Sequence, residues 1–467
     1  MEGWVKKFKT KGIAILKKNK RYYAYRIRSV WDPEKKRARK ITEEYLGVVT
    51  PQGIFKKHSL TSIKRDYEYG NILFLLSVAE EMRDLLREFY PYEWARMFCF
   101  SLLRVLQPLP LKSVQYLFEK TYLRVLFSDL SLSPKVLGRL LEEVGRNRKV
   151  AEEMMRRLII GDRHLIIDLS CLFSYSQNIV LLERGYNKDH LSLPQINLLL
   201  GFSSQKRVPS FIRVLPGSIR DVNSLMTTVT LFGIREAVLI MDRGFYSSKN
   251  MDLMGRSHLD YILPLRRNSK LIPRVSERFD GVFTYHKRPI KFWVTGRRGR
   301  RIYIYEDILL RSEEEKDFLQ LISEGKKGRK EFHKRKEKFG KIYLLSTLEA
   351  NAEEVYLMFK QKENIEYSFN ILKNLLEADK LYTRTDEKLF GYIFLNFISL
   401  YVYYKALNRI AEAKLQKRFS VNDILLQLSK VKIYLCEDTE ILSEIPAKVR
   451  DISEKLNLNL LLKKGVN

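Results

Sequence analysis

The chain has little cysteine: three in 467 residues, Cys99, Cys171 and Cys436, far apart and without a Cys-x-x-Cys pair. That argues against a disulfide framework and a cysteine-built zinc site, and for a reducing interior. The opening Met-Glu-Gly-Trp-Val-Lys-Lys-Phe-Lys lacks the apolar core of a signal peptide. Long hydrophobic runs are absent except for Leu389 to Tyr404, which is interrupted by Gly391, Asn396, Ser399 and tyrosines 392, 401, 403 and 404. That stretch is short and polar-spotted for a membrane span and reads as a buried helix. No internal repeat is visible. Acid is the minority sign, with 55 Asp and Glu against 85 Lys and Arg, a net charge of +30 and a pI near 9.8. Such a chain attracts phosphate backbones and loses affinity as salt rises. Its 45% hydrophobic content excludes a disordered polycation, and its length suggests two to four domains.

Periodicity changes along the chain. Residues 1–70 alternate apolar and charged residues, as in Arg21-Tyr22-Tyr23-Ala24-Tyr25-Arg26-Ile27-Arg28, and predict strands with a turn at Asp32-Pro33-Glu34-Lys35-Lys36. The hairpin reads equally as a DNA contact or as a solvated sheet. Residues 71–160 show helical spacing, as at Val114, Leu117, Phe118 and Tyr122, with Ser133-Pro134 opening one helix. This domain could insert a helix into a DNA groove, or only pack as a bundle.

After Gly161, short apolar runs at Leu165 to Leu169, Ile196 to Phe202, Phe211 to Leu215, Ala237 to Met241 and Tyr261 to Leu265 predict strands. Helical stretches near Val222 to Phe232 and Ser248 to Arg256 complete a β-β-β-α-β-α-β order, a mixed α/β sheet over 161–268 that resumes at 341–415. Between them, 269–340 reads as a basic, β-rich insertion. A long helix is expected from about Asn351 to Leu376, and 416–467 reads as a helical C-terminal region.

Three acids are set in these elements. Asp168 lies inside a buried-type strand, where a charge is costly unless something pairs with it. Asp242 ends another strand before Arg243-Gly244-Phe245, where the glycine would let the chain turn. On an ideal helix Phe359, Lys362, Glu366 and Lys373 fall within an arc of roughly 60°. Singly, each has a plainer explanation: a structural salt bridge, a common turn, or an i, i+4 ion pair worth a few tenths of a kcal/mol.

The order Asp on the first strand, Asp after the fourth and Glu on a following helix resembles the ribonuclease H-like nucleotidyl transferases. More narrowly, the chain resembles DDE transposases of prokaryotic insertion sequences whose third motif is Tyr-x2-Arg-x3-Glu-x6-Lys. Phe359-x2-Lys362-x3-Glu366-x6-Lys373 keeps the spacing, with Phe for Tyr and Lys for Arg. Asp242-Arg243-Gly244-Phe245, Asp168-Leu169-Ser170 and Pro216-Gly217-Ser218-Ile219-Arg220-Asp221 resemble the group's other motifs.

The resemblance implies a ribonuclease H-like mixed five-stranded sheet with flanking helices, and a metal-dependent transposase that cleaves element ends and transfers 3′-OH strands by cut and paste. It implies Asp168, Asp242 and Glu366 as catalytic ligands of two Mg²⁺ or Mn²⁺ ions. It also implies Lys373, Lys362 and Arg243 as DNA contacts, together with Trp293, Arg297 and Arg298 of the insertion. Trp293 reads either as a stacking platform for a flipped base or as part of the insertion's own core. Double-stranded DNA (terminal inverted repeats and target) would be the partner of a homodimer in a prokaryotic cytoplasm, associated with the nucleoid. The alternatives are a metal-dependent nuclease without strand transfer and a domesticated, non-catalytic DNA-binding protein.

Overall fold

The computed structural model describes the chain apart from residues 1–2, 19–20, 33–35, 51–52, 56–62, 175, 177, 186–192, 220, 275–277, 298, 377–382, 437–438 and 462–467, and the side chains of 221–223 and 297. It falls into two units, Met1–Asp66 with Ile433–Ser443, and Tyr67–Lys432 with Glu444–Asn467.

In the first unit, alternation makes a four-stranded antiparallel sheet in the order β1 (Ile13–Lys18), β2 (Arg21–Asp32), β3 (Arg37–Thr50), β4 (Gly53–Phe55). Successive side chains point to opposite faces. Tyr22 and Ala24 accordingly pack with Ile15, Val49 and Val5, while Tyr23 and Tyr25 lie across from them beside Tyr45. Of the expected turn, residues 33–35 lie outside the described residues. β5 (Arg65–Glu68) then leads out of this segment.

The second unit is built on one large mixed sheet. Its strands are β6 (His164–Phe173), β7 (Glu183–Arg184), β8 (Pro194–Ser203), β9 (Val208–Pro216), β10 (Val238–Met241), β11 (Asp260–Pro264), β12 (Gly281–Tyr285), β13 (Arg288–Arg297), β14 (Arg300–Asp307) and β15 (Lys341–Ser346). The order is β12-β13-β14-β15-β11-β10-β6-β8-β7, with β9 also paired to β8. All four residues of β10 are buried, which suits a strand covered on both faces. Helices Asp221–Phe232 and Ser248–Arg256 lie where the apolar spacing puts them.

Three expectations change. Among the described residues the sheet has ten strands, not five: β15 pairs with β11 and the short β7 with β8, and β14 pairs with β15 from Arg301↔Ser346 to Glu306↔Lys341, bringing in β12 and β13. The strands of the insertion thus continue the central sheet and cover what would be an open edge. The long helix over 351–376 is interrupted: Ala352–Lys360 starts with an Asn351/Glu354 capping box, Glu363–Asn370 follows, and Ile371–Leu375 is a π-turn. The C-terminal region is not all helical: along the sequence, helix Val421–Leu428 is followed by a hairpin of Lys432–Leu435 with Glu440–Leu442, which from Ile433 on belongs to the first unit, and then by helix Ala447–Lys455.

The apolar stretch at 389–404 lies within helix Asp386–Glu412 and is buried at every position but Phe390. Among the described residues no helix is long and apolar enough to cross a membrane. The helix packs against Pro134–Arg146, Trp94–Leu106 and β9, so the 71–160 helices share a core with it. Two glycines allow the close crossing: a Cβ on Gly391 would run into the carbonyl of Leu141, and one on Gly145 into that of Glu387. Since backbone cannot yield as a side-chain tip can, Gly391→Val should cost about 3 kcal/mol by thermal or denaturant unfolding. An unchanged midpoint would mean that the crossing is looser than drawn.

Candidate active site

The two aspartates are brought together by strand register. β10 runs parallel to β6 with Val238 opposite His164 and Met241 opposite Ile167. Asp242 follows Met241 directly, as Asp168 follows Ile167, so continuing the register by one step would put the two carboxylates on one face, about 5 Å apart at the backbone. Asp168 is 7% exposed and pairs on its other side with Leu200 of β8. Asp242 lies just past the end of β10, where its carboxylate accepts the Arg243 N–H at 2.8 Å and caps a 3₁₀ turn over Arg243–Phe245. Gly244 lies in that turn but is not among the residues at positive φ. The turn thus depends on the Asp242 cap and not on glycine's freedom.

Glu366 comes from the interrupted helical segment. Ile365 and Phe369 anchor Glu363–Asn370, which packs on β6 and β8. Lys362, just before this helix, places its ammonium 3.3 Å from Asp242 and 3.6 Å from Glu366, with the lysine side chain only 12% exposed. The second and third acids are therefore joined through one cation. Lys373, in the π-turn, donates to Ser170 Oγ at 2.7 Å and to the Cys171 carbonyl at 2.8 Å. Ser170 is two residues beyond Asp168, hence on its face of the strand. A π-turn adds a residue per turn, so the helical arc expected for Lys373 does not apply, yet its amine still reaches the strand of the first acid.

Carboxylates are hard oxygen donors of the kind magnesium and manganese take. A cation, the Lys362 ammonium, already stands between two of them, so the donor set suits a divalent ion. Among the described residues no three acids stand close enough to enclose one ion together, and Glu366 is 61% exposed at its side chain.

The family model described as "Transposase DDE domain" matches residues 161–402, just over half of the chain. The chain belongs to the DDE transposase family. No curated protein matches it. Among solved structures, a piggyBac transposase synaptic complex with hairpin DNA, seen by cryo-electron microscopy, is similar with a TM-score of 0.41 and 13% identity. That match covers 79% of this chain and 81% of the other.

The matched segment of the transposase contains Asp168, Asp242, Glu366, Lys362 and Lys373. Arg243 is exposed and opens onto a groove with Arg266, Arg267 and Lys341. Sequence reasoning passed over those three, although a basic pair directly after β11 is a visible signal. Arg267 is held in place: it makes two 2.8 Å bonds to Glu314. Burial would raise the Glu314 pKa, but hydrogen bonds from Arg267 and the Gly340 N–H, with the Arg267 charge, bring it below the ordinary value.

Gln195 and Asn197 were likewise missed. These buried amides of β8 hold the Pro216–Ile219 loop through the carbonyls of Gly217 and Ile219. Their signal was polarity inside an otherwise apolar strand. Arg220 of that motif lies outside the described residues, as do Arg298 and the Arg297 side chain.

Trp293 is 9% exposed, packs with Ile304 and Tyr343, donates to the Arg278 carbonyl at 2.9 Å and has Lys341 over its ring. A base could stack on it only if these neighbours moved. If its packing is its main role, Trp293→Ala should cost about 3–5 kcal/mol in unfolding measurements. At the acids, Lys362→Gln should tighten Mn²⁺ binding three- to tenfold by calorimetry, because a competing cation is gone. That is about 1 kcal/mol, typical of a partly exposed ion pair. Equal affinity would show that the ammonium leaves at no cost.

Proposed function

We propose that this transposase is the cut-and-paste enzyme of a prokaryotic insertion sequence, acting on double-stranded DNA with Asp168, Asp242 and Glu366 as its catalytic carboxylates. In this reading β6, β8, β9, β10 and β11 form a ribonuclease H-like core, and the enzyme cleaves at terminal inverted repeats before joining the freed 3′-OH to target DNA. The observation that supports the reading is the Lys362 ammonium between Asp242 and Glu366, with Asp168 and Asp242 each one residue beyond the last pair of two parallel strands, all inside the family-matched segment. The net charge of +30 supports a polyanionic substrate.

The three carboxylates would hold two Mg²⁺ or Mn²⁺ ions, which when bound supply activation of a water or 3′-hydroxyl and stabilisation of the leaving oxygen. The rest falls to the chain's own residues. Asp168 is fixed by its buried strand and Asp242 by its cap, so both are oriented before substrate arrives. Lys362, released from the acids, would turn to a phosphate, as a point charge and not as the bidentate fork of an arginine. Phe359 offers no hydroxyl there. Lys373 stays tied to Ser170 and Cys171 and contributes positive charge beside the first acid. Arg243, with Arg297 and Arg298 of the insertion, is assigned to the DNA backbone, and Trp293 to a stacking role only if its packing opens. A homodimer would bring two ends together.

Asp242→Asn keeps the side chain's size and its cap but loses a charged ligand. Strand cleavage of a duplex carrying the element's end should fall below detection while binding of that duplex changes less than threefold. Cleavage at an undiminished rate would refute the assignment. Supplying pre-cut 3′ ends to the wild-type chain should give joined products; a pure nuclease would give none.

A further inference from the structure

The first unit carries a feature that cleavage chemistry does not use. β1 pairs with β2 only over Arg21–Arg26, and β4 with β3 only over Val48–Thr50. From Ile27↔Thr42 to Asp32↔Arg37, strands β2 and β3 therefore pair only with each other, past two irregularities between Ala24 and Ile27 that set this part off from the sheet. Six residue pairs at about 3.3 Å each make an arm of about 20 Å. None of its described residues is buried, and Trp31 is 64% and Ile41 43% exposed. A two-stranded hairpin without a core is marginal in water, so an arm of this kind is suited to being held by something else.

Charge decides what. Between Ile27 and Thr42 the chain has six lysines and arginines, Arg28, Lys35, Lys36, Arg37, Arg39 and Lys40, against Asp32 and Glu34. The register sorts the described ones by face. Arg28↔Ile41, Val30↔Arg39 and Asp32↔Arg37 share one side, while Ser29↔Lys40 and Trp31↔Ala38 share the other. Arg28 also pairs with Glu43 at 3.2 Å near the base of the arm, leaving Arg37 and Arg39 as the distal guanidinium groups of that face. The major groove of B-DNA admits a two-stranded ribbon, and arginine is the side chain that reads guanine O6 and N7 there.

We propose that the β2–β3 arm enters the major groove of duplex DNA, with Arg37 and Arg39 toward base edges and Lys36 and Lys40 toward phosphates. The proposal extends the reading of DNA as substrate to a surface outside the family-matched segment. It concerns recognition and not cleavage.

The test uses the full chain and fluorescence anisotropy, with a labelled mixed-sequence 30-base-pair duplex, the same duplex with 7-deazaguanine for guanine, and a 30-residue oligothymidine. Arg37→Ala/Arg39→Ala should bind the duplex at least tenfold more weakly, with an unchanged melting temperature because no buried residue is altered. Losing the guanine N7 acceptor should weaken wild type several-fold and this variant hardly at all. Lys36→Ala/Lys40→Ala should lower the slope of log affinity against log salt by about 2. The proposal is overturned if the arginine variant binds the duplex like wild type, if deazaguanine leaves wild type unaffected, or if losses are confined to oligothymidine. Asp242→Asn in the same assay separates the two readings, since its binding reports on the arm even where the cleavage assignment fails.

Discussion

One parallel strand pair underlies the site. Asp168 and Asp242 are 74 residues apart, and each directly follows the last pair, Met241↔Ile167, of the parallel register between β10 and β6. A slip of one residue would turn one carboxylate to the opposite face of the sheet, because side chains alternate along a strand. The slip is prevented by apolar packing: Leu165, Ile166, Ile167, Leu239, Ile240 and Met241 are fully buried on the two strands. The hydrophobic effect thus fixes the chemistry indirectly, by making every other register bury the wrong side chains. Asp168 bears the cost, as a carboxylate only 7% exposed among those residues.

Two lysines stand among the acids. Lys362 stands between Asp242 and Glu366, and Lys373 enters on the face that carries Asp168. Both lysines come from the segment that was expected to be one helix. After a break at Gln361 and Lys362, Glu363–Asn370 packs on β6 and β8, and the π-turn holds Lys373, whose amine reaches the strand of Asp168. A single straight helix would also keep Lys373 on the face of Lys362 and Glu366; in the π-turn its amine reaches Ser170 and the Cys171 carbonyl.

What could be read from sequence follows the range of the forces involved. β6, β8, β9, β10 and β11 were legible because each is a short apolar run between turn residues, and helix Asp386–Glu412 because its hydrophobicity runs all round it. The Lys362–Glu366 pair was legible because i, i+4 geometry is local. The second contact of Lys362, to Asp242, was not: it joins residues 120 apart in the chain, and only the sheet brings them together. The same limit hid the pairing of β14 with β15, since apolar alternation marks a strand but not its neighbour. Gly391 read only as a break in an apolar run, and the crossing of its helix with Pro134–Arg146 shows why a side chain is excluded there and at Gly145.

In the proposed reading, lysine at 362 in place of arginine follows from the same geometry. A lysine at 362 supplies one compact charge at the end of a flexible stem, and that charge can lie between two carboxylates at 3.3 and 3.6 Å. An arginine's planar fork would tend to engage one carboxylate with two parallel bonds, a more rigid and more specific hold. Lysine thus gives a counter-ion that is weakly directional and shared, hence more easily withdrawn when another cation or a phosphate competes for its partners. Phe359 offers no hydroxyl three residues before Lys362, so in the proposed reading phosphate positioning would come from elsewhere on the surface. The groove beside Arg243 is lined by Arg266 and Lys341, and the arm of β2 and β3 carries further cations in the first unit. Loss of directional contacts at the acids is compatible with specificity if recognition is carried by surfaces remote in sequence from the carboxylates, where base edges rather than reacting phosphates are read.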